Sequence, residues 1–150
     1  MADAVLTQAI ETLRNNHVRV TPQRKMIIQY LVTHTTHPTV EILFKELYQQ
    51  EPNLSMATVY NTLHLLVSLG IVVELSNESG AVRYDYYGHS KFYAICANCG
   101  KIIDIFYKDY GEIEANFTQA AKSQADFQAT TVHVEVHGLC AECQKMMLTQ

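Results

Sequence analysis

Two Cys-x-x-Cys pairs, Cys96 to Cys99 and Cys140 to Cys143, contain all four cysteines of this chain. Forty residues lie between the pairs. A spacer of two residues lets both thiolates of a pair point at one ion, so two pairs complete the tetrahedral all-sulfur shell that structural zinc prefers. Because a closed shell leaves no position for a substrate water, this zinc is expected to hold structure and to take no part in catalysis.

Two other uses of the cysteines remain open at this point: two disulfides in a secreted domain, or a redox-active thiol pair. The first eleven residues contain no basic segment followed by an apolar stretch, which is evidence against export and favours the cytoplasm. A thioredoxin-like pair is expected as a single motif near a βαβ pattern, and here the motif occurs twice. Structural zinc is therefore the preferred interpretation.

The net charge of the chain limits the ways in which it can bind nucleic acid. The net charge is −4, which argues against binding by bulk charge, so any DNA contact must come from a local patch. A stretch of this kind runs from residue 14 to residue 25, where Arg14, Arg19, Arg24 and Lys25 lie. No apolar run approaches the roughly 18–20 residues that a membrane span needs, so no membrane partner is expected.

The first 86 residues predict a winged helix-turn-helix. Helix starts are indicated by Thr21-Pro22, by Pro38-Thr39 and by Ser55. The period then changes to that of a hairpin, with strands at 71–75 and 82–86 around a turn at 77–80. In this architecture the helix that precedes the wing, here Ser55 to Leu69, enters the major groove.

The outer face of that helix is chemically unusual. Val59 and the leucines are expected to be buried, while a solvated face would ordinarily show Lys, Glu or Gln, and residues 56–69 contain none of these. Short or flat hydrogen-bonding side chains occupy the other positions and suit contact with bases and phosphates. They are Thr58, Tyr60, Asn61, Thr62 and His64.

Residues 87–150 predict a small α/β domain in which the zinc joins distant parts of the chain. Strands lead into and out of the first cysteine pair, and 109–123 reads as a helix. Alternating valines over 130–137 predict a strand that leads to the second pair. The whole chain is thus predicted to be an α+β protein: a winged helix-turn-helix at 1–86, then an α/β dimerisation domain at 87–150 with a four-cysteine zinc site.

At this point the residues resemble the ferric uptake regulator family over nearly the whole chain. The resemblance is carried by Arg19-Val20-Thr21-Pro22-Gln23-Arg24, by His37-Pro38-Thr39, by the stretch Pro52 to Leu63 that contains Ala57-Thr58-Val59-Tyr60-Asn61-Thr62-Leu63, and by the two cysteine pairs. It implies a homodimeric, metal-dependent transcriptional repressor that binds double-stranded operator DNA. His37-Pro38-Thr39, Tyr60-Asn61 and Asp104 look most like the peroxide-sensing branch.

The resemblance also implies roles for individual residues. Tyr60 and Asn61 would contact the major groove, and Arg19 would reach the backbone or the minor groove. In the peroxide-sensing branch a regulatory ion sits between the domains, and His37, Asp85 and Asp104 match three of its five ligands. A nitrogen and oxygen shell suits Fe(II), Mn(II) or Zn(II). Bound iron there oxidises a ligand histidine in peroxide, which releases the DNA.

The chain departs from that pattern just before the first cysteine pair. Lys91 and Tyr93 stand where two histidines are expected, and His89 is displaced toward the N-terminus. Three alternatives follow. His89 joins His37, Asp85 and Asp104 in a four-ligand site; or His133 or His137 recruits a metal elsewhere; or Lys91 replaces the metal by pairing with Asp85 or Asp104.

The predicted function is a sequence-specific repressor of the peroxide-stress response acting through an Fe or Mn site. Alternatives within the family are iron, manganese or zinc homeostasis and a metal-independent repressor with a degenerate sensor site. A thiol oxidoreductase using Cys96 and Cys99 and a zinc-stapled interaction module are the competing classes. No Ser-His-Asp pattern, phosphate loop or His-Glu-x-x-His motif is present, so neither an enzyme nor a small-molecule substrate is expected.

Overall fold

The computed structural model describes residues 2–76, 80–88 and 90–148. They form two compact units. Unit 1 contains the described residues up to Ser76 together with Ala81–Tyr87, and unit 2 contains Gly80 and the described residues from Gly88 onward. Helices dominate unit 1 and a three-stranded sheet organises unit 2, so the predicted α+β class is confirmed.

Four helices make up most of unit 1, and local sequence signals start three of them. The hydroxyl of Thr21 accepts a hydrogen bond from the backbone of Arg24, and Thr39 and Ser55 cap the next two helices in the same way. Each cap satisfies an amide that the first helical turn leaves without a partner. The helices are α1 (Ala2–Asn15), α2 (Pro22–Thr33), α3 (Val40–Tyr48) and α4 (Met56–Ser68).

The predicted wing is an antiparallel pair of strands. β1 (Val72–Ser76) pairs with β2 (Val82–Tyr86), with Val72 opposite Tyr86. Gly80 has a φ of +84°, which a residue without a Cβ adopts at little cost. The rest of the predicted turn, residues 77–79, lies outside the described residues. Among the described residues, helices followed by a two-stranded hairpin give the winged arrangement expected from the sequence.

The core of unit 1 draws on every helix and on both strands of the wing. Leu13 of α1, Leu31 of α2, Leu43 of α3 and Leu63 of α4 are fully or almost fully buried. Each buried side chain of this size stabilises the folded state by roughly 1.5–3 kcal/mol relative to the same side chain left exposed. The buried members of this cluster are Ala9, Leu13, Ile27, Ile28, Leu31, Leu43, Leu47, Leu54, Val59, Leu63, Leu66, Ile71, Val72 and Tyr84.

Unit 2 is built on a mixed sheet in the order β4-β3-β5. β3 runs antiparallel to β4 and parallel to β5. The elements in chain order are β3 (Lys91–Cys96), β4 (Ile102–Phe106), α5 (Tyr110–Ala125), β5 (Glu135–Gly138) and α6 (Ala141–Leu148). Helix α5 confirms the helix predicted over 109–123. Helix α6 was not predicted; it begins directly after Cys140 and contains Cys143.

The last strand starts later than the sequence predicted. The alternation over 130–137 predicts a strand throughout, but β5 spans only Glu135–Gly138. The hydroxyl of Tyr110 donates a 2.8 Å hydrogen bond to the carbonyl of Val132. That carbonyl therefore bonds to a side chain of α5, and pairing with β3 begins at the carbonyl of Val134, which accepts from Tyr93.

No helix among the described residues is both long enough and apolar enough to cross a membrane.

Candidate metal centres and DNA-contact helix

The four cysteines of unit 2 converge on one point. One sulfur from each of Cys96, Cys99, Cys140 and Cys143 lies within 4.8 Å of all the others. The Sγ atoms of Cys99 and Cys140 are 3.8 Å apart. A tetrahedral zinc with Zn–S bonds of about 2.3 Å requires sulfur atoms about 3.8 Å apart. The donor set therefore fits structural zinc, and the four thiols are free rather than joined in disulfides.

Both cysteine pairs are positioned by short backbone links. Cys96 ends β3, and the chain turns back at once because Gly100 donates to the carbonyl of Cys96 at 2.9 Å. Gly100 has a φ of +79°, a conformation that favours glycine. The amide of Ala97 donates to the carbonyl of Gly138 at 2.7 Å, which brings the end of β5 beside the first pair. Cys140 lies directly before α6 and Cys143 lies in its first turn, and their sulfurs complete the cluster.

Backbone amides prepare Cys96 to act as a thiolate ligand. Its sulfur accepts N–H bonds from Cys99 at 3.5 Å and from Cys140 at 3.4 Å. These bonds lower the pKa of the Cys96 thiol to about 6. Since the thiolate is the metal-binding form, these two amides favour the state of Cys96 that binds zinc. Asn98 donates from its amide to the sulfur of Cys143 at 3.2 Å and so supports the second pair.

In unit 1 the structure brings together two of the predicted regulatory ligands. Nε2 of His37 lies 3.9 Å from Oδ2 of Asp85, and both residues are buried. His37 has a φ of +54°. Its backbone is held to β2 because Arg83 donates to the His37 carbonyl at 3.0 Å and Tyr84 donates to that of Pro38 at 3.0 Å. An imidazole and a carboxylate side by side are donors that suit Fe(II), Mn(II) or Zn(II).

Asp104, the third matched ligand, belongs to unit 2 and is paired there with a cation. Nζ of Lys91 lies 2.9 Å from Oδ2 of Asp104, and both side chains are largely buried. The same ammonium lies 5.7 Å from the ring centre of Tyr93. This is the pairing with Asp104 that the third alternative predicts. His89, which the first alternative requires, lies outside the described residues.

His133 and His137 both face the carboxylate of Glu135. Their Nε2 atoms lie 3.2 Å and 3.1 Å from its two oxygens. Burial raises the pKa of Glu135, but the hydrogen bonds from His137 and His133 outweigh it, so the pKa lies below its usual value. Neither histidine belongs to a group of three or more donors with metal-like spacing among the described residues.

On α4 the predicted DNA-facing residues are mostly, but not all, accessible. Tyr60 and Asn61 are exposed and Thr58 is half-buried. Thr62, which the sequence placed on the same outer face, is buried, so that assignment was wrong. The reason is helical geometry: position 62 lies three residues after Val59, on the stripe that packs into the core. Arg19 is exposed at the chain segment before α2.

A surface recess of about 400 Å³ lies between the N-terminal part of α2 and α4. Gln23, which the sequence did not single out, and Arg24, which belongs to the basic stretch of residues 14–25, line it together with Thr58 and Asn61. The guanidinium of Arg24 also donates to the carbonyl of Arg19 at 2.7 Å and so fixes that segment.

Comparisons with known proteins find relatives that belong to one family. The model of the ferric uptake regulator family matches residues 15–137. The peroxide-responsive repressor PerR of Staphylococcus saprophyticus is 40% identical over 139 residues, covering 93% of this chain and 91% of that protein. PerR of Staphylococcus aureus has the same identity and coverage.

Solved structures support the same relationship. A structure that describes peroxide sensing and gene regulation by PerR from Streptococcus pyogenes is 35% identical, covers 93% of each chain and has a TM-score of 0.55. The ferric uptake regulator of Helicobacter pylori shares the fold, with a TM-score of 0.66 over 96% of this chain and 94% of that one at 23% identity. The chain belongs to the ferric uptake regulator family.

Proposed function

We propose that this chain is a metal-dependent, sequence-specific DNA-binding repressor that responds to peroxide. The observation that carries the proposal is its 40% identity to peroxide-responsive repressors along almost its full length. The four-cysteine zinc site and the winged unit give the physical basis for such a role. Because the family consists of regulators, we propose no enzymatic activity and no small-molecule substrate, and a cytoplasmic location where operator DNA is found.

We propose that unit 1 contacts operator DNA through α4. Tyr60 and Asn61 are exposed on a helix whose opposite side lies in a fully packed core. An Asn side chain is suited to pair with adenine in the major groove, while Thr58 and Arg19 reach phosphates or the minor groove. The core supports this role because a rigid scaffold holds these side chains in position.

We propose that the regulatory ion is Fe(II) or Mn(II), held by His37, Asp85, His89 and Asp104. The buried proximity of His37 and Asp85 supports two of these ligands. Bound iron would supply the reactivity toward peroxide, and the protein's own contribution is to hold an imidazole and a carboxylate in a site shielded from water. The structural zinc of unit 2 is separate from this role, since its closed cysteine shell leaves no open position.

We propose that two copies associate through unit 2, in keeping with the dimerisation domain predicted at 87–150. Among the described residues β5 pairs only with β3, so its outer edge is available for another strand. Val136 and Leu139 beside that edge are exposed apolar residues. A two-fold axis would set identical edges against each other, which matches a palindromic operator.

The test is binding to a palindromic operator, measured by fluorescence anisotropy with Mn(II), Fe(II) or strong chelator, each with and without peroxide. We expect binding to require metal and peroxide to abolish it with iron only. Asn61→Ala should weaken specific binding by about 1–3 kcal/mol. Asn116→Ala, which makes the same change at an exposed position of α5 in unit 2, is the matched control and should leave affinity unchanged.

Other outcomes select the alternatives. Metal-dependent binding that ignores peroxide would assign the chain to iron, manganese or zinc homeostasis. Tight binding in chelator with zinc still in the cysteines would indicate a metal-independent repressor. Equal affinity for operator and unrelated DNA, with no effect of Asn61→Ala, would contradict the DNA-contact proposal.

A further inference from the structure

We infer that Lys91 competes with the regulatory cation for Asp104 and so raises the metal concentration at which this protein responds. The inference rests on the proposed regulatory role of Asp104 and deepens it. It assigns a function to Lys91, which belongs neither to the zinc site nor to the DNA-contact helix. It depends on contacts within unit 2 alone.

The strand register brings the two side chains together. In the antiparallel pair of β3 and β4, Tyr93 is opposite Asp104 and Lys91 is opposite Phe106. Lys91 and Asp104 are therefore diagonal neighbours on one face of the sheet, within reach of a long side chain. The observed result is a contact of 2.9 Å between Nζ and Oδ2. Thirteen positions separate the two residues in sequence, so only strand pairing creates this contact.

Burial makes the pair stronger than an ordinary surface ion pair. The Lys91 side chain is 9% exposed and that of Asp104 is 17% exposed. Solvent screens such a pair less than an exposed one, and a charge-assisted hydrogen bond gains accordingly. The ring of Tyr93, with its centre 5.7 Å from Nζ, lies within the range of a cation–π contact and helps to retain the ammonium.

The consequence for a divalent ion follows from charge. Asp104 already accepts a hydrogen bond from a cation, so a metal must break that bond before it uses the same oxygen. The displaced ammonium would then lie close to the ion and repel it. Both effects lower the apparent affinity for metal, because the free energy of the Lys91–Asp104 pair opposes binding. Without metal, Lys91 keeps the carboxylate neutralised.

The decisive experiment measures Mn(II) binding to zinc-loaded protein from the spectroscopic signal of free Mn(II). Lys91→Met preserves the length of the side chain and removes the charge. We expect its apparent Kd to fall about tenfold or more, the scale of one charge-assisted hydrogen bond. Lys108→Met is the matched control, because it removes the same charge from an exposed position of unit 2 and should leave the Kd unchanged.

A second background separates competition from a structural effect. In Asp104→Asn protein the ion pair that opposes metal binding is gone and only repulsion by the ammonium remains, so adding Lys91→Met should lower the apparent Kd by less than it does in the wild-type background. A merely structural role for Lys91 would instead weaken metal binding in the Met variant. Zinc content and the thermal transition of each protein show that the fold is retained, and Lys91→Gln replaces Lys91→Met if the latter fails to fold.

The outcomes distinguish this inference from the proposed function. Equal Mn(II) affinity in wild-type and Lys91→Met protein overturns the competition and leaves the regulatory metal intact. Tighter binding by the variant, with metal-independent DNA binding by the wild type, supports the inference and overturns the proposed metal dependence. Absence of Mn(II) binding beyond the cysteine site in both proteins overturns both.

Discussion

The two units of this protein are stabilised in different ways. Of the buried apolar side chains other than proline, taken together with the buried cysteines, seventeen among the described residues belong to unit 1 and six to unit 2, and three of those six are cysteines. Large exposed apolar side chains show the reverse, with four in unit 1 and nine in unit 2. Unit 1 therefore contains a sufficient core of its own, whereas unit 2 relies on zinc and on a surface suited to a partner.

This difference explains why each unit suits its proposed role. A DNA-contact helix works best on a rigid support, and α4 is packed against a continuous apolar core. A dimerisation unit needs exposed apolar surface, which reduces what remains for its interior. Four thiolates around zinc supply the missing stabilisation in a unit of this size.

The largest expected effect comes from removing a zinc ligand. Cys143→Ser should abolish tight zinc binding and unfold unit 2, since structural zinc contributes on the order of 10 kcal/mol to domains that depend on it. Hydrogen exchange should show β3, β4 and α6 losing protection while α2 and α4 keep theirs. Ser123→Ala in α5 is the control and should retain zinc. Loss of protection throughout both units would contradict a zinc contribution that is confined to unit 2.

A core truncation in unit 1 should give the next largest effect. Leu63 is 0% exposed, so Leu63→Ala should lower the free energy of unfolding by about 2–5 kcal/mol through lost burial and a cavity. Chemical denaturation measures this change, and zinc content should stay unchanged. Leu148→Ala makes the same truncation at a side chain that is 86% exposed and should cost less than about 0.5 kcal/mol. Similar losses in the two variants would refute the burial argument.

A charge on the edge strand should affect association more than folding. Val136→Lys places a cation beside the same cation of a second copy. We therefore expect the dissociation constant of the dimer to rise about tenfold or more. Sedimentation equilibrium measures this change. Gln124→Lys adds the same charge at an exposed position of α5 away from β5 and serves as the control. An unchanged dimer in Val136→Lys protein would mean that β5 is not the contact.

The smallest expected effect is local to a helix cap in unit 1. Thr21→Ala removes the hydroxyl that accepts from Arg24 at 3.1 Å and should cost about 1 kcal/mol of stability. Thr35→Ala, an exposed threonine between helices, is the comparison and should be nearly neutral. Thermal unfolding followed at unit 1 detects the difference. A loss as large as that of Leu63→Ala would show that Thr21 does more than cap α2.

Prediction from sequence succeeded where a signal is local and failed where packing decides. The caps at Thr21, Thr39 and Ser55 follow from side chains and amides three residues apart. The sequence prediction for Thr62 was wrong because a polar side chain suggested exposure, whereas its position on α4 lies on the face that packs into the core. The late start of β5 depends on a hydrogen bond from Tyr110, which lies 22 residues before Val132.

The sequence by itself determined the four-cysteine zinc set, the winged helical half and the family. Each is indicated by short motifs, such as a Cys-x-x-Cys pair or a helix cap, whose residues lie only a few positions apart. Such motifs can be recognised without knowing how the rest of the chain folds. Only the tertiary structure decided that the sulfur of Cys96 accepts an amide bond from Cys140, that His37 lies beside Asp85 and that Lys91 pairs with Asp104. Those contacts depend on strand register and on burial, which set distances between residues far apart in the chain and cannot be read from composition or periodicity.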